Sequence, residues 1–83
     1  MSRHGEKCKL FVFDVGYYIK ERALDAKKER DAVPKGTPEY DFRCGRVIAY
    51  NEVISILQQT AEGFGIALEE LQLDDIDPDR DLV

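Results

Sequence analysis

Histidine occurs once in this chain, at His4, and cysteine twice, at the widely separated Cys8 and Cys44. With a single histidine near one end, no serine or cysteine has a base and an orienting group close to it in sequence, so nucleophilic catalysis has no visible machinery. Two distant cysteines without a Cys-x2-Cys pair exclude a disulfide scaffold and point to reduced thiols. Together with His4 they offer three soft ligands where structural zinc takes four at paired spacings, so the expectation is no metal and no cofactor. Long apolar runs are missing too: nothing approaches the ~18 residues of a membrane span. Residues 10–19 follow a basic N-terminus in the manner of a secretory signal, but Asp14 interrupts the run and no small-residue cleavage site follows. Basic charge is in the minority, 12 Lys and Arg against 17 Asp and Glu for a net charge of −5, which argues against a phosphate-binding surface. These absences predict a cytoplasmic protein that is not an enzyme and binds neither nucleic acid nor membrane.

What is present is helical spacing. Between Gly45 and Phe64, the residues Val47, Tyr50, Ile54, Leu57, Ala61 and Phe64 recur at intervals of three and four and share one side of an α-helix. Ala49, Val53 and Ile56 form a second row that widens this side, so the helix needs cover from more than one direction.

In the first half, Leu10-Phe11-Val12-Phe13 reads equally as a strand or as the start of a buried helix. Val12, Val15, Ile19, Ala23 and Ala26 continue it at helical spacing into good helix formers, which predicts a helix from about 11 to 31. Asp14 is an alternative N-cap, with helix only after it. Gly16 weakens this helix and marks a close backbone approach. Val33 to Pro38 is a break, after which Thr37 suits an N-cap, Pro38 the first helical position and Glu39 the positive end of the dipole. Gly63 and Gly65 are both natural stops for the second helix. Residues 66–73 read as a short third helix folded over the hairpin. The division predicted is a flexible N-terminus over 1–9, one helical domain over 10–73, and a disordered acidic tail over 74–83, too charged and too poor in apolar side chains to pack.

Candidate site residues are few. Asp75, Asp77, Asp79 and Asp81 alternate as at the start of a calcium loop, but Pro78 and Arg80 interrupt it, and neither a sixth-position glycine nor a twelfth-position glutamate is present, which leaves a solvated tail. Arg43, Arg46 and Glu52 are charges on an otherwise apolar helix. Arg46 and Glu52 lie too far apart to pair with each other, so each looks to helix one or another subunit, either as interface ion pairs or as a small pocket beside Tyr40 or Tyr50. Phe11, Phe13, Tyr17 and Tyr18 are spread around the first helix so that one hairpin partner cannot cover all four, and the remainder suits an interface.

The run Phe42-Arg43-Cys44-Gly45-Arg46-Val47-Ile48-Ala49-Tyr50-Asn51-Glu52-Val53, followed by Gly63-Phe64-Gly65-Ile66, resembles a type of small bacterial protein, some phage-associated. That type carries an F-x-x-G-R-x-x-A-Y-x-E-V pattern before a G-I-x-x-x-x-L ending. The resemblance covers the C-terminal half, implies a helical hairpin and transfers no functional residues.

The fold expected is therefore an all-α helical hairpin with a short third helix, pairing into a homodimeric four-helix arrangement, because a chain of 83 residues is near the lower limit for a self-sufficient core. The function expected is a non-catalytic protein–protein interaction or regulatory module. Two other expectations stand beside it: a small acidic inhibitor of a basic nucleic-acid-binding protein, and a small-molecule-binding dimer with an interfacial site around Arg46, Tyr50 and Glu52.

Overall fold

A computed structural model describes residues 3–83, with side chains from residue 5 onward. Two long helices, α1 (Arg3–Asp31) and α2 (Pro38–Gly63), fold back on each other. A 3-10 turn (Leu68–Leu71) and a one-turn helix, α3 (Pro78–Asp81), follow, and no strand occurs among the described residues. The expected hairpin is present.

Residues 10–13 are helical, inside α1, and Asp14 lies in the helix interior instead of capping it. α1 also begins well before the expected start near 11. Residues 3–9, expected to be flexible, form its first turns, with Glu6 near the positive end of the dipole and Lys7 and Lys9 as good helix formers; residues 1 and 2 lie outside those described. The boundary between the helices follows capping chemistry. Thr37 Oγ1 accepts the Tyr40 N–H at 3.2 Å, and Pro38 opens α2. At the far end Gly65, at φ +70°, is the left-handed stop. Gly65 N–H then reaches the Glu62 carbonyl at 3.0 Å and Ile66 N–H the Ala61 carbonyl at 2.8 Å, a Schellman closure.

The hairpin seam is the expected row in part. Val47, Ile54 and Ala61 are buried against Ala23 and Ala26, with Tyr50, Leu57 and Ile19 packed at the edges. Phe64, assigned to the same row, is 79% exposed, because it stands at the C-cap where α2 ends.

The largest departure is residues 74–83. In place of a disordered tail, the chain from Leu71 to Val83 lies along one flank of the hairpin as a third layer. Leu73, Ile76, Pro78 and Leu82 are buried within it. The 3-10 turn replaces the third helix expected over 66–73, ending at Gln72 in the left-handed region (φ 55°). α3 uses the same chemistry as the start of α2: Asp77 Oδ1 accepts the Asp79 N–H at 3.0 Å, Pro78 takes the first position, and Asp81 Oδ2 accepts the Asp77 N–H at 2.9 Å.

Polar side chains of the hairpin hold this layer. Asn51 Nδ2 donates to the Pro78 and Leu82 carbonyls at 2.8 and 3.2 Å, and Gln58 Nε2 donates to the Leu73 and Ile76 carbonyls at 3.0 and 2.9 Å. Both are two-donor amides two helical turns apart on one flank of α2, so together they satisfy four tail carbonyls. Gln72 Nε2 donates to the Phe13 carbonyl at 3.1 Å, and Lys20 pairs with Asp75 at 2.9 Å. Arg30, only 8% exposed, donates to the Val83 main-chain oxygen at 2.8 Å and to Asp31 at 3.0 Å. Replacing Gln58 with Ala strands two buried carbonyls and should cost about 2 kcal/mol in chemical denaturation. A cost within ~0.5 kcal/mol would mean that water replaces the amide freely.

Charge also couples the tail to pH. The Lys20 ammonium holds the Asp75 carboxyl below its ordinary value, and the hydrogen-bonded Arg80 guanidinium, helped by the Asp77 N–H, holds Asp81 far below it. Each carboxyl has a folded pKa below its unfolded value of about 3.9, so its stabilisation is complete above that range and is lost as pH falls through the folded values. The tail is thus expected to stay docked at pH 5 and to loosen below about pH 4, which amide signals of residues 75–82 recorded from pH 6 to 2 would report. Signals unchanged down to pH 2 would mean that these carboxylates do not couple to docking.

Candidate interaction surface

The tail covers the flank of α2 that carries Asn51, Ser55 and Gln58. By helical spacing, Ala49, Val53 and Ile56 lie on the opposite flank of the same helix. The structure therefore covers a polar row and leaves the expected second apolar row bare. On α1 the same division holds. Gly16, Lys20 and Arg30 meet the tail, while Phe11, Val15 and Tyr18 turn to the uncovered flank. The Arg46–Glu29 pair, 2.7 Å across the hairpin, fixes this flank as continuous from one helix to the other.

Phe11, Tyr18, Ile56 and Phe64 are each more than 60% exposed on it, with Val15 and Val53 between them. Val12, Leu57, Ala61 and Ile66 line a shallow groove of about 130 Å³ where the helices open. Near the open end of α1, Leu10, Phe11, Val12 and Phe13 are all at least 40% exposed. A helix segment apolar on every side is stable only when enclosed.

The residues singled out from the sequence fall in different places. Phe11 and Tyr18 are on the bare flank. Phe13 faces the other way, beside Leu10 and the Glu69-Glu70 pair of the 3-10 turn. Tyr17 also lies off the flank, donating its phenol proton to Glu21 at 2.7 Å, with its ring edge-on to Tyr18 at 5.6 Å and Lys20 at 6.0 Å from its centroid. The Glu21 carboxylate raises the Tyr17 phenol above its ordinary value, and burial with the Cys44 thiol raises Tyr40, so both remain protonated donors at neutral pH. Arg46 pairs with Glu29, Tyr50 packs at the seam, and Glu52 is exposed on the far side of α2. These three do not converge on one pocket.

Arg43 completes a small network at the loop end, reaching Glu39 at 3.0 Å and Glu29 at 3.4 Å. Arg46 is 41% exposed in its side chain, so Arg46→Ala should cost less than about 1 kcal/mol, measurable by urea denaturation. A cost of several kcal/mol would mark a buried ion pair instead.

The acidic residues of the tail serve capping and pairing, as described for Asp75, Asp77 and Asp81. Among the described residues no group of three or more His, Cys, Asp or Glu side chains is placed to hold a metal ion, and the His4 side chain lies outside them. Cys8 and Cys44 are both free thiols, at the open and loop ends of the hairpin. No helix among the described residues is long and apolar enough to cross a membrane. Sequence reasoning missed Lys20, Arg30, Asn51, Gln58 and Gln72, the side chains that hold the tail; the signal was the polar row Asn51, Ser55 and Gln58 at helical spacing on an otherwise apolar helix. Comparison with protein-family models, with curated proteins and with solved structures finds no match for this chain.

Proposed function

We propose that this chain is a non-catalytic protein–protein interaction module of the cytoplasm, working through the flank of the hairpin opposite the tail. The observation that carries it is the asymmetry of α2, whose polar flank is covered by the chain's own tail while its apolar flank is bare. A monomer rarely leaves a contiguous apolar patch of this size uncovered unless it meets another surface. The carboxylates of the tail favour an acidic inhibitor less, since Asp75 and Asp81 are engaged by Lys20 and Arg80 within the chain.

The test separates stability from association. Ile56 is 63% exposed, so Ile56→Lys should leave the unfolding free energy within about 0.5 kcal/mol at dilute protein, while abolishing association. A loss of 2 kcal/mol or more, the size found at covered sites, would mean that the flank is closed within the fold and would remove the docking surface.

A further inference from the structure

We infer that the occupant of this flank is a second copy of the chain, docked antiparallel so that the two open ends overlap and the two loop ends point apart. The inference rests on the docking role proposed above and adds its partner and geometry. Area is the first argument. Phe11, Val15, Tyr18, Val53, Ile56 and Phe64 together expose on the order of 600 Å² of apolar surface, close to the ~800 Å² that each partner contributes to a standard interface. One patch pairing with itself about a two-fold axis therefore reaches the size of a stable dimer.

Where charge lies supplies the orientation. Between Phe11 and Tyr18 on α1, and between Val53 and Phe64 on α2, the flank carries no charged side chain but Asp14 at its margin. Toward the loop it carries Arg22, Asp25, Glu29 and Arg46. A contact centred on the apolar ground buries it at the middle and leaves Asp25, Glu29 and Arg46 toward the rim, where charges keep their water and burial, which would cost most, is avoided.

The register follows from the same geometry. An antiparallel overlap centred at the level of Gly16 brings Lys7 of each copy to the level of Asp25 of the other. Both side chains are exposed on this flank, and neither has an ion-pair partner within the chain among the described residues. Phe11, 61% exposed in one copy, then lies against the partner's helices.

The experiment is sedimentation equilibrium on the full chain, with Ile56→Lys, Ile48→Lys, Lys7→Glu and the pair Lys7→Glu with Asp25→Lys. Ile48 is 55% exposed on the tail side and serves as the control. The expected result is a dimer that Ile56→Lys weakens on the order of 30-fold or more. Ile48→Lys should leave it intact, and the double charge reversal should recover what Lys7→Glu loses. Spin labels at Lys35→Cys, in a background with Cys8 and Cys44 replaced by serine, should lie about 55 Å apart across the dimer, from the 1.5 Å rise per helical residue. A monomer at all concentrations, a dimer indifferent to Ile56→Lys, or loop labels within ~25 Å of each other would overturn the inference. The first of these leaves the docking role standing, provided that Ile56→Lys has kept its stability; a destabilised Ile56→Lys would end both.

Discussion

Removing residues 74–83 is expected to unfold the protein. The segment looks dispensable by composition, with six acidic or basic side chains in ten positions. Yet it inserts Ile76, Pro78 and Leu82 into the core and satisfies Asn51, Gln58 and the buried Arg30. Burying two large aliphatic side chains contributes roughly 3–6 kcal/mol. The Asn51 amide would lose both its carbonyl partners, and Gln58 and the buried Arg30 one each, which adds to the loss. A domain this small has a total stability of about 5 kcal/mol to lose. Circular dichroism and urea denaturation of the shortened chain should therefore show loss of the cooperative transition, or a midpoint far below that of the full chain. A transition like that of the full chain would mean that the hairpin stands alone.

Gly16→Ala should have the other large effect. A Cβ built on Gly16 would stand 1.8 Å from the Leu71 carbonyl oxygen and 2.8 Å from its carbon. Both atoms are backbone, so no side-chain rotation relieves the clash, and the 3-10 turn must move off α1. Alanine gains up to ~1 kcal/mol in helix propensity, which offsets part of the overpacking cost; a net loss of about 2–3 kcal/mol is expected. Gly45→Ala is the control. It lies inside α2 with nothing within 4 Å of the added atom, and should stabilise by about 0.5–1 kcal/mol. If Gly16→Ala proved as stabilising as Gly45→Ala in parallel melts, the 3-10 turn could not be seated where it is described.

The two glycines also show what could be read in advance. Helical spacing and capping residues placed both helices, the Thr37-Pro38 start and, between Gly63 and Gly65, the region of the stop, because capping and periodicity are local and act within a few residues. That Gly16 marks a close backbone approach was legible; which segment approaches was not, since Leu71 is 55 positions away in sequence. The tail was misjudged because its charge density hid three anchored apolar residues. Asp77-Pro78 repeats the Thr37-Pro38 cap, but its value depends on Asn51 and Gln58 being aligned to receive carbonyls, a tertiary fact. For the same reason the polar row on α2 drew no reading, and the row Ala49, Val53 and Ile56 looked like a face that needed cover. The tail covers the first and leaves the second bare, and the candidate surface follows from that reversal more than from the aromatic residues that first suggested it.

Amide hydrogen exchange, read residue by residue on the full chain at neutral pH, addresses this reversal most directly. If the tail is a structural layer, the amides of Leu73, Asp81 and Leu82, bonded to the Leu68, Asp77 and Pro78 carbonyls, should be protected to the same order as those of α2 at Ile54. Exchange of those three amides at the rate of an unstructured peptide, with α2 still protected, would contradict the account, since the polar flank would then be as open as the apolar one.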